Sequence, residues 1–233
     1  MKIILDAGHG SNTPGKRSPN GMKEFEFNSA VANYVKGVLD NYDCQVRFAH
    51  DTSGKIDVEL SKRADLANSW GADVFVSIHA NAFGNGGWNS AQGIETFAYK
   101  TKPKNATALA NVIQKKLVQK TGGQNRGVKF ADFAVLRETK MDAILAECGF
   151  MTNQAEASRL KTSDYRIKCA YAIAEGLIEF YKLKEKAKPK EPVKSSAKGL
   201  YKVQVGAFSD KKNADNLAAE LKKKGYSTYI VHE

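Results

Sequence analysis

Apolar residues recur along residues 1–181 in two alternating rhythms. Short apolar runs at Lys2–Asp6, Gln45–Ala49, Asp73–Ile78, Gly93–Tyr99 and Ala143–Cys148 read as strands. Between them, apolar residues fall three and four apart. Glu24–Asn41 puts Phe27, Val31, Tyr34, Val35, Val38 and Leu39 on one helical face, and Asp164–Lys182 does the same with Ile167, Ala170, Tyr171, Ala174, Leu177, Ile178 and Tyr181. Val58–Trp70 is a helix stopped by Gly71, and Asn105–Lys120 is one ended by Gly122–Gly123. Strands alternating with helices predict an α/β fold, a mostly parallel central sheet with helices on both faces.

The rhythm breaks at Lys182–Lys198, which reads KLKEKAKPKEPVKSSAK. This stretch has no aromatics and cannot bury enough surface to offset its ordering entropy, so it reads as a linker. Beyond it, Leu200–Ala207 alternates as a strand, Asp210–Lys224 is an amphipathic helix and Ser227–Val231 is a second strand. The expected organisation is a domain over 1–181, a basic linker over 182–198 and a βαβ unit over 199–233. A unit below about 40 residues usually needs staples or a partner. The face formed by Tyr201, Val203, Val205, Leu217, Leu221 and Ile230 is therefore expected to pair with a second copy, giving a homodimer through the tail.

Composition narrows the classes. The 233 residues are 42% hydrophobic and 26% charged, which excludes wholesale disorder. No run approaches the ~20 apolar residues of a membrane span, so no membrane insertion is expected. Met1–Asp6 runs straight into a strand without an apolar leader, which predicts synthesis in the cytoplasm without a signal peptide. Cys44, Cys148 and Cys169 are odd in number and unclustered, which argues against a disulfide framework. The net charge of +11 divides into +4 over 1–181, +5 over the linker and +2 over the tail. A basic balance suits nucleic acid, an anionic membrane surface or an anionic wall polymer. The linker lacks the interleaved aromatics of a nucleic-acid surface, so no nucleic-acid partner is expected.

The chain has four histidines. His9 follows the first strand, His79 follows Val74–Ile78, His50 follows another strand and His232 lies in the tail. Glu147 closes the apolar run Ala143–Ala146. Ligands of open α/β sheets bind at the carboxyl ends of strands, so His9 and His79 are expected to share a crevice. A carboxylate ending so apolar a run must be paired, hydrogen-bonded or on a metal. Singly, each residue has a bland reading as a hydrogen-bonding or salt-bridged strand end; their coincidence raises a shared site. Two imidazoles and a carboxylate with an open fourth position form a catalytic zinc set, and a further acid then serves as base. Glu24 and Glu26, which follow the loop Gly10–Gly21, are both available, and spacing does not choose between them.

Four ordered motifs carry a resemblance: Asp6-Ala7-Gly8-His9-Gly10, Gly21-Met22-Lys23-Glu24, Ser77-Ile78-His79-Ala80-Asn81 and Glu147-Cys148-Gly149-Phe150-Met151-Thr152-Asn153. Over about residues 2–181 the chain resembles the zinc-dependent N-acetylmuramoyl-L-alanine amidases of the type 3 family. The resemblance implies Zn2+ held by His9, Glu24 and His79, and proton transfer by Glu147. It implies cleavage of the amide between the muramic acid lactyl group and the first L-alanine of the peptidoglycan stem. Glu26 is not at a ligand position. Arg63 with Ala67-Asn68 resembles the family's Arg-x-x-x-Ala-Asn helix and reads as structural. Asn125–Lys129 and Ala134–Arg137 are expected to line the groove. Asn81, Arg126 and Trp88, the last in the loop Phe83–Gln92, are the expected substrate contacts. Some members insert a long helix near this loop that plugs the zinc site; the short glycine-rich loop here predicts no such plug. His50 stands where the family often has arginine and is not assigned to the metal.

Tyr201–Phe208, with Asn213-Ala214, Leu217 and Gly225-Tyr226, resembles one SPOR (sporulation-related) repeat. Complete SPOR domains contain two such repeats and bind glycan strands stripped of stem peptides. The expectation is a peptidoglycan hydrolase that acts on the bacterial wall after release, as a phage lysin or a mother-cell autolysin. The rival reading is a wall-binding module of the same fold that no longer cuts.

Overall fold

The computed structural model describes residues 1–186 and 204–231. The chain divides into two units, Met1–Ala187 and Lys188–Glu233. In the first, β1 (Lys2–Ala7), α1 (Glu24–Leu39), β2 (Gln45–Phe48), α2 (Leu60–Trp70), β3 (Val74–Asn81), β4 (Ile94–Tyr99), α3 (Lys104–Thr121), β5 (Asn125–Ala131), α4 (Ala134–Arg137), β6 (Asp142–Phe150), α5 (Gln154–Leu160) and α6 (Ser163–Tyr181) follow in order. The sheet runs β2-β1-β3-β6-β4-β5. Only β4 against β6 is antiparallel; the other neighbouring pairs are parallel.

Each strand and helix expected in this unit forms, with bounds moved by a few residues. Gly71 (φ 65) and Gly122 (φ 68) end α2 and α3 in the left-handed conformation that glycine adopts without strain. Three elements lie outside the sequence pattern. β5 is an edge strand whose alternation is broken at Gly127, α4 is a single turn, and α5 has seven residues.

The period of two sorts the strand residues between two cores. Ile3, Leu5, Val74, Val76, Ile78, Ile94, Ile144 and Ala146 pack with residues of α1, α3 and α6. Ile4, Phe75, Ala143 and Leu145 form a smaller core with Ala67 of α2 and with Val135 and Leu136 of α4. Asp6, Ser77, His79, Glu95 and Glu147 share the phase of this second set. His79 is in register with Glu147 across β3 and β6, and Glu147 with Glu95 across β6 and β4. The fold thus sets three ionisable side chains in a row across one end of the sheet.

The first unit runs past α6. Leu183 packs against the main core. The Asp43 N–H donates to the Lys184 carbonyl at 2.8 Å, and the Lys186 N–H donates to the Asn41 carbonyl at 2.8 Å. Residues 182–186, at the start of the expected linker, are thus hydrogen-bonded and packed to the first unit. Residues 187–198 lie outside the described residues.

In the second unit α7 (Lys211–Lys223) forms, capped by Asp210, whose side chain accepts the Lys212 N–H at 2.7 Å. The strands expected at Leu200–Ala207 and Ser227–Val231 do not form over 204–207 and 227–231; residues 200–203, and His232, lie outside the described residues. Two isolated strands flanking one helix lack the neighbours that would hold a ladder. Val205, Phe208, Tyr226 and Ile230 stay largely exposed. The homodimer expectation rested on those strands and finds no support here. Among the described residues no helix is long and apolar enough to cross a membrane.

Candidate metal centre and active site

Three side chains converge at the end of the sheet. His9, just past β1, has φ 66, a left-handed value uncommon outside glycine. Arg63 holds it there, donating from Nη2 to the His9 carbonyl at 3.0 Å. Glu24 opens α1 and is 3% exposed. Its Oε2 lies 3.2 Å from His9 Nε2 and its Oε1 lies 2.9 Å from His79 Nδ1. The two rings meet edge to face at 5.1 Å. One donor atom from each residue lies within 4.8 Å of the other two. Glu26, in the same helical turn, is exposed and stands apart.

Local structure explains how Glu24 arrives. The loop after His9 folds back through a turn in which Ser18 and Met22 exchange hydrogen bonds, and the Glu24 N–H donates to the Lys16 carbonyl at 3.0 Å. One helical turn on, Asn28 donates to Glu24 Oε1 at 3.2 Å and to the Gly8 carbonyl at 3.0 Å, tying α1 to the end of β1.

A buried polar chain backs His79. Ser77 Oγ lies 3.2 Å from His79 Nε2 and donates to Asp6 Oδ2 at 2.7 Å. Arg63 Nη1 donates to Asp6 Oδ1 and to the Ala7 carbonyl, both at 2.6 Å. The Arg63 and Asp6 side chains are each 1% exposed. A serine accepting from one imidazole nitrogen leaves the other free to face a metal. Arg63 thus acts structurally, holding the backbone on which His9 stands.

The electrostatics follow from this enclosure. Burial pushes the Glu24 carboxyl up, but hydrogen bonds and charge from His79 and His9 outweigh it and hold the group far below the ordinary carboxylate range. Burial lowers His79, and the contacts with Glu24 more than reverse that and raise it. Glu147 has no such partner: its Oε2 is buried without a hydrogen bond, and burial, with Glu24 and Glu95 nearby, pushes its carboxyl up to about 8.

Of the remaining expected residues, Asn81 and Arg126 meet on Glu95, and Trp88 and His50 stand apart. Asn81 donates to Glu95 Oε1 at 2.8 Å. Arg126 donates from Nε to Glu95 Oε2 at 2.5 Å. Trp88 is 43% exposed on its loop, which Asn89 pins by donating its N–H to the Thr152 carbonyl. His50 stands away from the triad: Nδ1 accepts the Ala7 N–H at 3.0 Å, and the ring packs against Phe25 and Phe48. Asp6, Ser77, Glu95 and Glu156 were not singled out as site residues in the sequence. Glu156 accepts the Gly93 and Phe150 N–H groups and so fixes the chain just after Glu147. The signal available for the first three was a polar residue at an inward position of an apolar strand.

This sheet carries two imidazoles and a carboxylate at one end, a donor set of the kind that holds a metal ion. Residues 3–179 match the N-acetylmuramoyl-L-alanine amidase family and residues 182–233 match the SPOR domain. The chain belongs to the N-acetylmuramoyl-L-alanine amidase family, and its activity is hydrolysis of peptidoglycan at the amide between N-acetylmuramic acid and L-alanine. It is 36% identical over 232 residues to the sporulation-specific N-acetylmuramoyl-L-alanine amidase of Bacillus subtilis strain 168, covering 99% of this chain and 84% of that protein. It is 35% identical over 215 residues to the endolysin of Bacillus phage SPP1, covering 89% of this chain and 76% of that one. The catalytic domain of the amidase CwlV from Paenibacillus polymyxa superposes with a TM-score of 0.70 at 33% identity, over 78% of this chain and 99% of that domain. An amidase from Clostridium difficile 630 gives 0.72 at 33% identity, over 78% of this chain and 96% of its own.

Proposed function

We infer that this amidase is a zinc hydrolase in which His9, Glu24 and His79 hold the metal and Glu147 moves the proton. One observation carries the reading: three donor atoms within 4.8 Å of one another, beside a carboxylate with an unpartnered buried oxygen. Two imidazole nitrogens and one carboxylate oxygen, with space left for substrate, fit zinc. Zinc bound there supplies a Lewis acid that polarises the scissile carbonyl and acidifies a water molecule.

The chain's own groups do the rest. Glu147, in register beside His79, takes the proton of the attacking water and delivers it to the departing L-alanine nitrogen. Burial without a partner raises this carboxyl in the metal-free site, and a divalent cation on the neighbouring triad would draw it back toward the ionised form that a base needs. The chain from Ser77 through Asp6 to Arg63 keeps the His79 ring from turning as charge develops. Asn81 and Arg126 serve as substrate contacts through the Glu95 cluster, and Trp88 forms a wall of the groove. The tail, with its SPOR match, and the lysine-rich stretch before it hold the enzyme on the wall. The enzyme reaches that wall after release from the cell that makes it, the setting shared by a lysin and a mother-cell autolysin.

Purified protein is expected to hold about one zinc per chain, to lose activity in chelator and to regain it with zinc. Glu147→Gln should keep the metal and abolish turnover. Mass analysis of digested peptidoglycan should show new L-alanine amines and no new reducing sugar ends. Full activity after verified metal removal contradicts the metal assignment, and near-normal turnover of Glu147→Gln contradicts the proton role.

A further inference from the structure

On a regular strand, residues three apart face opposite sides of the sheet. Arg126 and Lys129 of β5 nevertheless reach the same carboxylate. Ile94 is in register with Asn125 and Thr96 with Val128, so Arg126 and Gly127 together stand opposite Glu95. This is a β-bulge, the device that re-aims a side chain at a sheet edge. Gly127 takes φ 79, and its N–H donates to Asn125 Oδ1 at 2.9 Å. The extra residue inverts the alternation and brings both cations to Glu95. Arg126 Nε donates to Oε2 at 2.5 Å, Lys129 Nζ donates to the same oxygen, and Asn81 takes the other.

Two cations on one carboxylate leave a surplus positive charge, whereas one cation would neutralise Glu95. The surplus is accessible: the Arg126 and Lys129 side chains are 31% and 39% exposed. Among the described residues Arg126 Nη2 has no partner and Lys129 Nζ has one. The guanidinium lies over the Phe150 ring at 4.9 Å, which fixes its plane. The result is a preformed positive fork, aimed by the bulge, with β4 between it and the strand that carries Glu147.

We propose that this fork binds a free carboxylate of the stem peptide, that of the second residue, and so sets which stems the enzyme prefers. The assignment rests on the reading of Glu147 as the group at the scissile amide. β6, β4 and β5 are about 4.8 Å apart, which puts the Arg126 backbone about 10 Å from that of Glu147, and its side chain reaches back over Glu95. One residue of extended peptide covers about 3.5 Å. A stem that leaves Glu147 across β4 brings its first carboxylate, on the γ-linked D-glutamate that follows L-alanine, within this span. Amidation of that carboxylate to isoglutamine removes the charge and keeps the shape.

The test uses two zinc-loaded full-length proteins, one active and one carrying Glu147→Gln, and two muropeptides that differ only in this carboxylate or carboxamide. Binding to the Glu147→Gln protein is measured by calorimetry and cleavage by the active one by chromatography. Loss of a charge-assisted bond predicts about ten- to a hundredfold weaker binding of the amidated stem. With Arg126→Gln and Lys129→Gln added, the preference should collapse toward one, with zinc content and melting temperature reporting that the fold holds. Equal binding of the two stems by the parent protein, or a preference that survives both substitutions, overturns the proposal. A binding preference without cleavage supports the fork and counts against the catalytic reading, so the two fail separately.

Discussion

The His79 ring closes directly on the backbone of Gly8: a Cβ at position 8 would stand 2.0 Å from Cε1 and 2.4 Å from Nε2. The Gly8 N–H donates to the Ile78 carbonyl at 3.1 Å, so the ends of β1 and β3 are stitched together where the ring lies. Glycine is required here for space. Gly8→Ala must push the imidazole off its position against Glu24 and Ser77. The expected outcome is a folded protein that has lost zinc affinity by at least about tenfold, with activity falling in step. Zinc content after dialysis, beside a thermal melt, measures both; full zinc retention would show that the ring can give way.

That glycine also marks how far the sequence could be read. His9, His79 and Glu147 were legible as polar ends of apolar strands; that Asp6, Ser77 and His79 share one face, in the phase opposite to Ile3, Leu5, Val74 and Ile78, emerges from the structure. Gly71 and Gly122 announced the helix stops. What stayed hidden depended on side chains meeting across long separations. Spacing could not choose Glu24 over Glu26; burial does, because only Glu24 turns inward at the start of α1. The pairing of Arg63 with Asp6 joins residues far apart in sequence. β5 was masked because its bulge breaks the period of two that would have revealed it. The tail failed for the opposite reason: alternation was present, but no neighbouring strands exist among the described residues to use it.

Zinc must compete with a proton. In the metal-free site burial lowers His79, but the hydrogen bond and charge of Glu24 raise it above its ordinary 6.5, so protonated imidazole occupies the place the metal needs. Zinc affinity should climb with pH through and above this range, by up to about tenfold per unit while one proton is displaced. The stability of the metal-free protein has a worked sign. The raised His79 contributes stability that is full below 6.5 and is lost as pH rises through its folded value. Glu147, raised from 4.5 to about 8, also costs stability as pH climbs through that window. Glu24, held low, contributes stability present above 4.5 and lost as pH falls toward its folded value. Metal-free protein should therefore melt lower as pH rises from 4.5 to about 8, more steeply once His79 begins to titrate above 6.5, and zinc should flatten that decline. Paired melts with and without zinc check it.

Arg63 and Asp6 form an ion pair with both side chains 1% exposed. Removing one partner strands a buried charge, which costs about 3–5 kcal/mol. Arg63→Leu should lose that much in denaturant unfolding and should release His9 from its left-handed conformation. Asp6→Asn in the same chain should recover part of the loss, because the uncompensated carboxylate is then gone while Ser77 still has an acceptor. A single Arg63→Leu change within about 1 kcal/mol of the parent would contradict the structural weight given to this pair.

The catalytic unit should be cut after residue 186. Leu183, Lys184 and Lys186 are bound by three backbone hydrogen bonds, to the Ile178 carbonyl, from the Asp43 N–H and to the Asn41 carbonyl, and Lys186 Nζ donates to the Asp40 carbonyl at 2.8 Å. At a net of about 1 kcal/mol each for the backbone bonds, a fragment ending at residue 181 should be less stable than one ending at 186 by about 2–3 kcal/mol. That corresponds to a melting temperature lower by about 4–12 °C. The longer fragment should also hydrolyse soluble muropeptides without an added activator. The loop over 82–92 is short, and Asn89 ties it to the Thr152 carbonyl and the Phe83 carbonyl, which keeps it beside the groove. Paired melts decide the boundary. Turnover by the zinc-loaded 1–186 fragment decides the second point: a folded, zinc-containing fragment that stays inert until a partner is added would show that the site is not open on its own.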